Sequence, residues 1–134
     1  MNKQQKQYAV CKARLDALKA KRDEIERAYI VAHGIVNDDG ETPQRTWMID
    51  DESVFNAACN EIGPVIDALG IYAADKDLER AEDALINYGL SIAPANIRET
   101  LRGGCFGPGA RIKHREKMID LAFRLDTRTV PAFA

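Results

Sequence analysis

Three groupings in this 134-residue chain hold residue types that can do covalent or metal chemistry. The first is Gly103-Gly104-Cys105-Phe106-Gly107-Pro108-Gly109, a glycine-rich turn ahead of the basic run Arg111, Lys113, His114 and Arg115. Such a turn opening a helix offers backbone N–H donors to an anion. A nucleotide-binding loop also needs Gly-x-x-x-x-Gly-Lys-Ser/Thr after a strand; here Gly109 is followed by Ala110 and Arg111, and the preceding element reads as a helix. The second grouping pairs Cys105, near a helix start, with His114 as a base for a thiol nucleophile. It has no oxyanion motif and no third group to orient the base, so an inert thiol and a solvated histidine are expected. The third is His33 with Asp38, Asp39 and Glu41, but Asn37-Asp38-Asp39-Gly40-Glu41 lacks the alternating ligands of a calcium loop and reads as a solvated turn. No cofactor and no metal is expected, and the chain is read as non-enzymatic.

What remains is recognition chemistry. Arg98, Arg102, Arg111, Lys113, Arg115 and Lys117 cluster over two expected helices and the turn between them, where they could meet phosphates. The turn spans about seven residues, longer than the three or four of a helix-turn-helix, and the net charge of −2 does not favour a dedicated nucleic-acid binder. That net charge conceals a segregation. Residues 1 to 35 carry eight basic and four acidic side chains, residues 36 to 90 three and thirteen, and residues 91 to 134 eight and four. The acidic middle, with Asp38, Asp39, Glu41, Asp50, Asp51 and Glu52 close together, either meets a basic partner or is neutralised by the chain's own ends.

The elements that must position these groups are helical. Tyr8, Cys11, Leu15, Leu18, Ile25, Tyr29 and Ala32 recur at steps of three and four with Arg22 as the one polar interruption, a heptad seam. With alanines between and no Gly or Pro before Gly34, they predict one helix over about residues 3 to 33, about 45 Å long. Residues 36 to 50 hold the Asp39-Gly40 turn and Pro43, then the β-prone run Thr46 to Ile49; they read as a loop with room for a small hairpin, pinned to the core by Trp47 and Met48, with a partner-binding anchor as the alternative role of these two. Asp50 or Asp51 caps the next helix, which Gly63-Pro64 kinks or divides. Gly70 closes it, Asp75 caps another that ends at Gly89, and Pro94 opens a short one through Leu101. A last helix spans about Ala110 to Leu125.

An apolar share of 46% against 30% charged residues places the chain among folded proteins and not among disordered ones. No apolar run approaches the about 20 residues of a membrane span, and the start of the chain lacks a secretory pattern, so the cytoplasm is the expected location. Cys11, Cys59 and Cys105 are odd in number and widely spaced, which predicts buried or half-buried thiols without a disulfide framework. The expected fold is an all-α bundle of one long N-terminal helix and four or five shorter ones. Residues 1 to 126 form its single domain (1 to 35 long helix, 36 to 50 loop, 51 to 126 helical body), and 127 to 134 form a tail. The function these features point to is protein–protein interaction or regulation, with self-association as a homodimer through Tyr8, Cys11, Leu15, Leu18, Ile25 and Tyr29. Two alternatives are a nucleic-acid-binding regulator using the basic cluster and an acidic inhibitor, of the kind mobile elements carry, that imitates nucleic acid with the six acids of residues 38 to 52.

Overall fold

The computed structural model describes residues 2 to 92, 115 to 120, 122 and 123. They are mostly helical, and no strand occurs among them. In order come α1 (Lys3–Ala32), a 3-10 turn (Thr46–Met48), α2 (Glu52–Asp67) and α3 (Ile71–Ile92), followed by helical residues at 115 to 120 and at 122 and 123. None of the described helices is long and apolar enough to cross a membrane. The helix expected at 94 to 101, the glycine-rich turn and the tail lie outside the described residues.

The start of α1 is fixed by its own sequence. Asn2 Oδ1 accepts the Gln5 backbone N–H at 2.8 Å, and Gln5 Oε1 accepts the Asn2 N–H at 2.9 Å. This reciprocal pairing is a capping box with Asn and Gln in the usual Ser and Glu positions, and it satisfies two donors the helix would otherwise leave orphaned. At the other end Gly34 adopts φ +59°, donating to the Val31 carbonyl while Ile35 donates to Ile30. That pair of bonds, with Ile30 and Ile35 both in one apolar cluster, is a Schellman stop. Along the helix the buried line begins on the heptad, at Cys11 and Leu15, and drifts off it, to Glu26 and Ile30. Ala32, expected on the seam, is exposed. A straight helix of 3.6 residues per turn slips about 20° per heptad against a 3.5-residue repeat, the direction of this drift.

The chain divides into two compact units, residues 1 to 12 with 76 to 134, and residues 13 to 75. In the first, Leu85, Ile86, Ile119 and Ala122 form an apolar cluster against which Tyr8, Met118 and Phe123 pack. Tyr8 meets Phe123 edge to face, ring centroids 5.7 Å apart. The Gln5 side-chain amide is buried and donates to the Phe123 carbonyl.

In the second unit Ile30, Ile35, Ile49 and Ala58 are the cluster, with Tyr29, Val54 and Phe55 beside them. The segment between α1 and α2 is not a hairpin. Its β-prone run instead forms the 3-10 turn, in which positions three apart lie on one face, so Thr46 and Ile49 point inward and Trp47 and Met48 outward. Trp47 is 64% exposed and does not pin the loop to the core, as its apolar bulk predicted. The pinning groups are polar. Asn37 Nδ2 donates to the Met48 carbonyl at 2.9 Å, and Asn37 Oδ1 accepts the Asp50 N–H at 3.0 Å, so one carboxamide substitutes for two rungs of a ladder. Underneath, Glu26 is 4% exposed, accepting the Thr46 hydroxyl at 2.7 Å on Oε1 and the Arg45 guanidinium on Oε2.

The helix boundaries depart from expectation in three places. α2 runs unbroken through Gly63 and Pro64, because Pro64 is exposed and close to the helix end, where the lost bond to the carbonyl four residues back can be met by water. Asp75 does not cap α3, which starts at once after Gly70 (φ +76°) and takes the Gly70 carbonyl as its first acceptor, from Ala74 N–H. Gly89 does not end it either; it is buried within the helix, and among the described residues positive φ occurs at Gly34 and Gly70, which follow helices, and at Gly40 in a turn. Asp51, of the two candidates, caps α2, its carboxylate accepting the Val54 N–H at 3.1 Å. Cys11 is buried as expected, but Cys59 is exposed on α2.

Glu26→Ala is expected to cost about 2 kcal/mol, because it leaves the buried Thr46 hydroxyl without its acceptor and takes from Arg45 its nearer carboxylate, with Asp23 remaining. Thr46→Val should cost about 1 kcal/mol by the same reasoning. Urea unfolding midpoints measure both, and a Glu26→Ala protein as stable as the parent would refute the clamp.

Candidate functional site

The six acids singled out in sequence lie in the second unit and are all exposed. The Asn37 hydrogen bonds carry Asp38, Asp39, Glu41 and Asp50 on a folded turn. Asn37 N–H donates to the Glu41 carbonyl at 2.9 Å, Gly40 N–H to Asn37, Glu41 N–H to the Asp39 carboxylate, and Asp38 N–H to the Asp50 carboxylate at 3.2 Å. Gly40, with φ +83°, supplies the left-handed residue the turn requires. Among the described residues no lysine or arginine pairs with any of the six.

Three of these acids, Asp38, Asp50 and Asp51, line a cleft of about 600 Å³ together with Tyr29, His33, Ile35, Ile49, Val54 and Ala57. Tyr29 and His33 stack with centroids 4.0 Å apart, and His33 Nδ1 lies 2.9 Å from the Tyr29 carbonyl. Glu61 of α2 approaches the pair, 3.8 Å from His33 Nε2, and its charge reaches the Tyr29 phenol. Partial desolvation, then the charge of Glu61, hold the Tyr29 phenol above its usual value of 10.0. His33, Asp38, Asp39 and Glu41 do not converge as metal ligands; no group of three or more such side chains could hold an ion among the described residues.

The other sequence candidates are placed differently. Of the seam, Cys11 and Leu15 are buried in the single chain, and Tyr8, Leu18, Ile25 and Tyr29 are half-buried. Of the basic cluster, Arg98, Arg102, Arg111 and Lys113 lie outside the described residues, as do Cys105 and His114. Arg115 bonds Asp83 at 2.7 Å and has Glu82 at 3.8 Å. Burial lowers its pKa, but the bond to Asp83 and the charges of Asp83, Glu82 and Glu79 outweigh that and raise it. Lys117 is exposed. Sequence reading missed the Glu26–Arg45–Thr46 clamp. The available signal was a charged residue one place from the seam position Ile25, followed by a lone arginine in an otherwise acidic loop.

No protein-family model matches the chain, and no match was found among curated proteins or among solved structures, so what the site can do rests on its geometry. Its resources are carboxylates, an aromatic stack and an exposed indole.

Because Tyr29 keeps its proton above pH 10.0 in the folded protein, the folded state binds more proton there than the unfolded chain does. Its contribution to stability is complete below that value and is lost as pH rises through the raised folded one. Tyr29→Phe should therefore lose less stability than the parent as pH rises above 10.0, a difference thermal melts on either side of that value would reveal or exclude.

Proposed function

We propose that the protein is a non-enzymatic interaction protein whose contact surface is the segment between α1 and α2, and that its partner is a protein with a basic face. The observation that carries this reading is the exposed Trp47. An indole on a turn held from beneath by Glu26 and from the side by Asn37 loses little conformational freedom on binding, the character of an interface anchor. Around it Asp38, Asp39, Glu41, Asp50, Asp51 and Glu52 supply the charge that would steer a basic surface. An inhibitor that imitates nucleic acid is the form of this reading in which the partner is itself a nucleic-acid-binding protein.

Self-association along α1 has less support, since Cys11 and Leu15 are already buried. Nucleic-acid contact through the basic cluster is disfavoured at Arg115, whose guanidinium is engaged by Asp83 and Glu82.

Calorimetric titration with short lysine- and arginine-rich peptides tests the reading. Binding should weaken as salt is raised through the physiological range, and Trp47→Ala should weaken it about tenfold or more. Absence of binding to any basic peptide at low salt would refute the reading.

A further inference from the structure

The cleft beside the acidic turn joins three properties within one unit. It has apolar walls in Ile35, Ile49 and Val54 and an aromatic stack in Tyr29 and His33, with the carboxylates of Asp38 and Asp50 at its edge. At about 600 Å³ it is within the common range for ligand pockets and larger than a lone inorganic ion needs. It also sits at the carboxyl end of α1, a 30-residue helix with no basic side chain in its last turn, so apart from the His33 ring at the Tyr29 carbonyl the negative end of that helix dipole meets no cation of its own last turn. Asp51 is engaged as the α2 cap and one Asp50 oxygen accepts the Asp38 N–H, which leaves the Asp38 carboxylate and the second Asp50 oxygen to meet a cation.

We infer that this cleft receives an arginine side chain of the partner, a proposal that rests on the interaction reading above. The methylenes of arginine suit the apolar wall. Its planar guanidinium is weakly hydrated, stacks on aromatic faces and presents several donors to separated carboxylates, whereas a lysine ammonium is a compact, strongly hydrated point charge. The cleft thus adds a choice between two cations that a merely acidic surface would bind alike.

The test is calorimetric titration of the full chain with three short, end-blocked peptides of alternating glycine and arginine, glycine and lysine, or glycine and citrulline. The arginine peptide should bind about three- to fivefold more tightly than the lysine peptide, the preference expected of a partly exposed cation–π contact, and citrulline should not bind. Ala57→Leu, which fills the cleft from an exposed helical position without changing charge, should abolish the preference for arginine. Asp38→Asn should weaken the arginine peptide about threefold, as loss of one exposed ion pair does. Far-ultraviolet circular dichroism checks that both variants fold, and either alone suffices to judge the cleft. Equal binding of arginine and lysine peptides, unaffected by Ala57→Leu and Asp38→Asn but reduced by Trp47→Ala, would overturn the cleft and leave the interaction surface standing. If no basic peptide binds the parent protein, both fall.

Discussion

Glu26 is a carboxylate on the inner side of α1, and most of what is distinctive in residues 13 to 75 depends on its being satisfied. A buried carboxylate left without partners is costly, and the local sequence of α1 offers it none, since its helix neighbours at Arg22 and Arg27 are turned elsewhere or exposed. The donors come from 19 and 20 residues downstream, in Arg45 and Thr46. To bring both to one carboxylate the chain must close a loop after the Schellman stop at Gly34 and tighten into a 3-10 turn. Asp23 joins the same arrangement, 3.4 Å from Arg45 and 3.0 Å from Arg22. Direction is thereby imposed on a segment whose composition otherwise favours solvent.

The helices were legible because their signals are local. Periodicity located α1, Gly34 and Gly70 marked their stops, and the aspartate before Glu52 marked the start of α2. Errors arose where a local rule competes with position in the element. Pro64 breaks helices in their interior but is tolerated near an end, and Gly89 resembles a stop yet lies buried in α3. Of the candidate site, the acids and their exposure could be read from composition, whereas the clamp beneath them could not. It joins residues far apart in sequence through polar groups, and hydrophobic patterning carries no record of such pairs. Trp47 shows the same limit from the other side. Its size argues for burial, and only the three-residue repeat of the 3-10 turn decides that Thr46 and Ile49 go inward in its place.

The segregated charge has two different fates. Part of it is met within each unit, as when Arg115 from the basic end reaches Asp83 and Glu82 on α3, and when Arg45 of the acidic middle reaches Glu26 and Asp23 on α1. The acids of residues 38 to 52 are not met in this way. The carboxylates of Asp39, Asp50 and Asp51 accept backbone N–H groups, which orients these three, while no lysine or arginine among the described residues pairs with any of the six, an arrangement that costs stability through self-repulsion. Such a cost is usual at surfaces selected for recognition and uncommon at surfaces selected only for solubility.

The exposure of the only tryptophan also changes what light reports about this molecule. In most small proteins the indole is enclosed, and its emission shifts to the red as the chain unfolds. Here Trp47 is already largely in water in the folded state, so its emission starts near the solvated limit and carries little record of denaturation. The spectrum is instead sensitive to whatever comes to lie against the turn, which makes the native chain its own optical probe for a bound partner without any label.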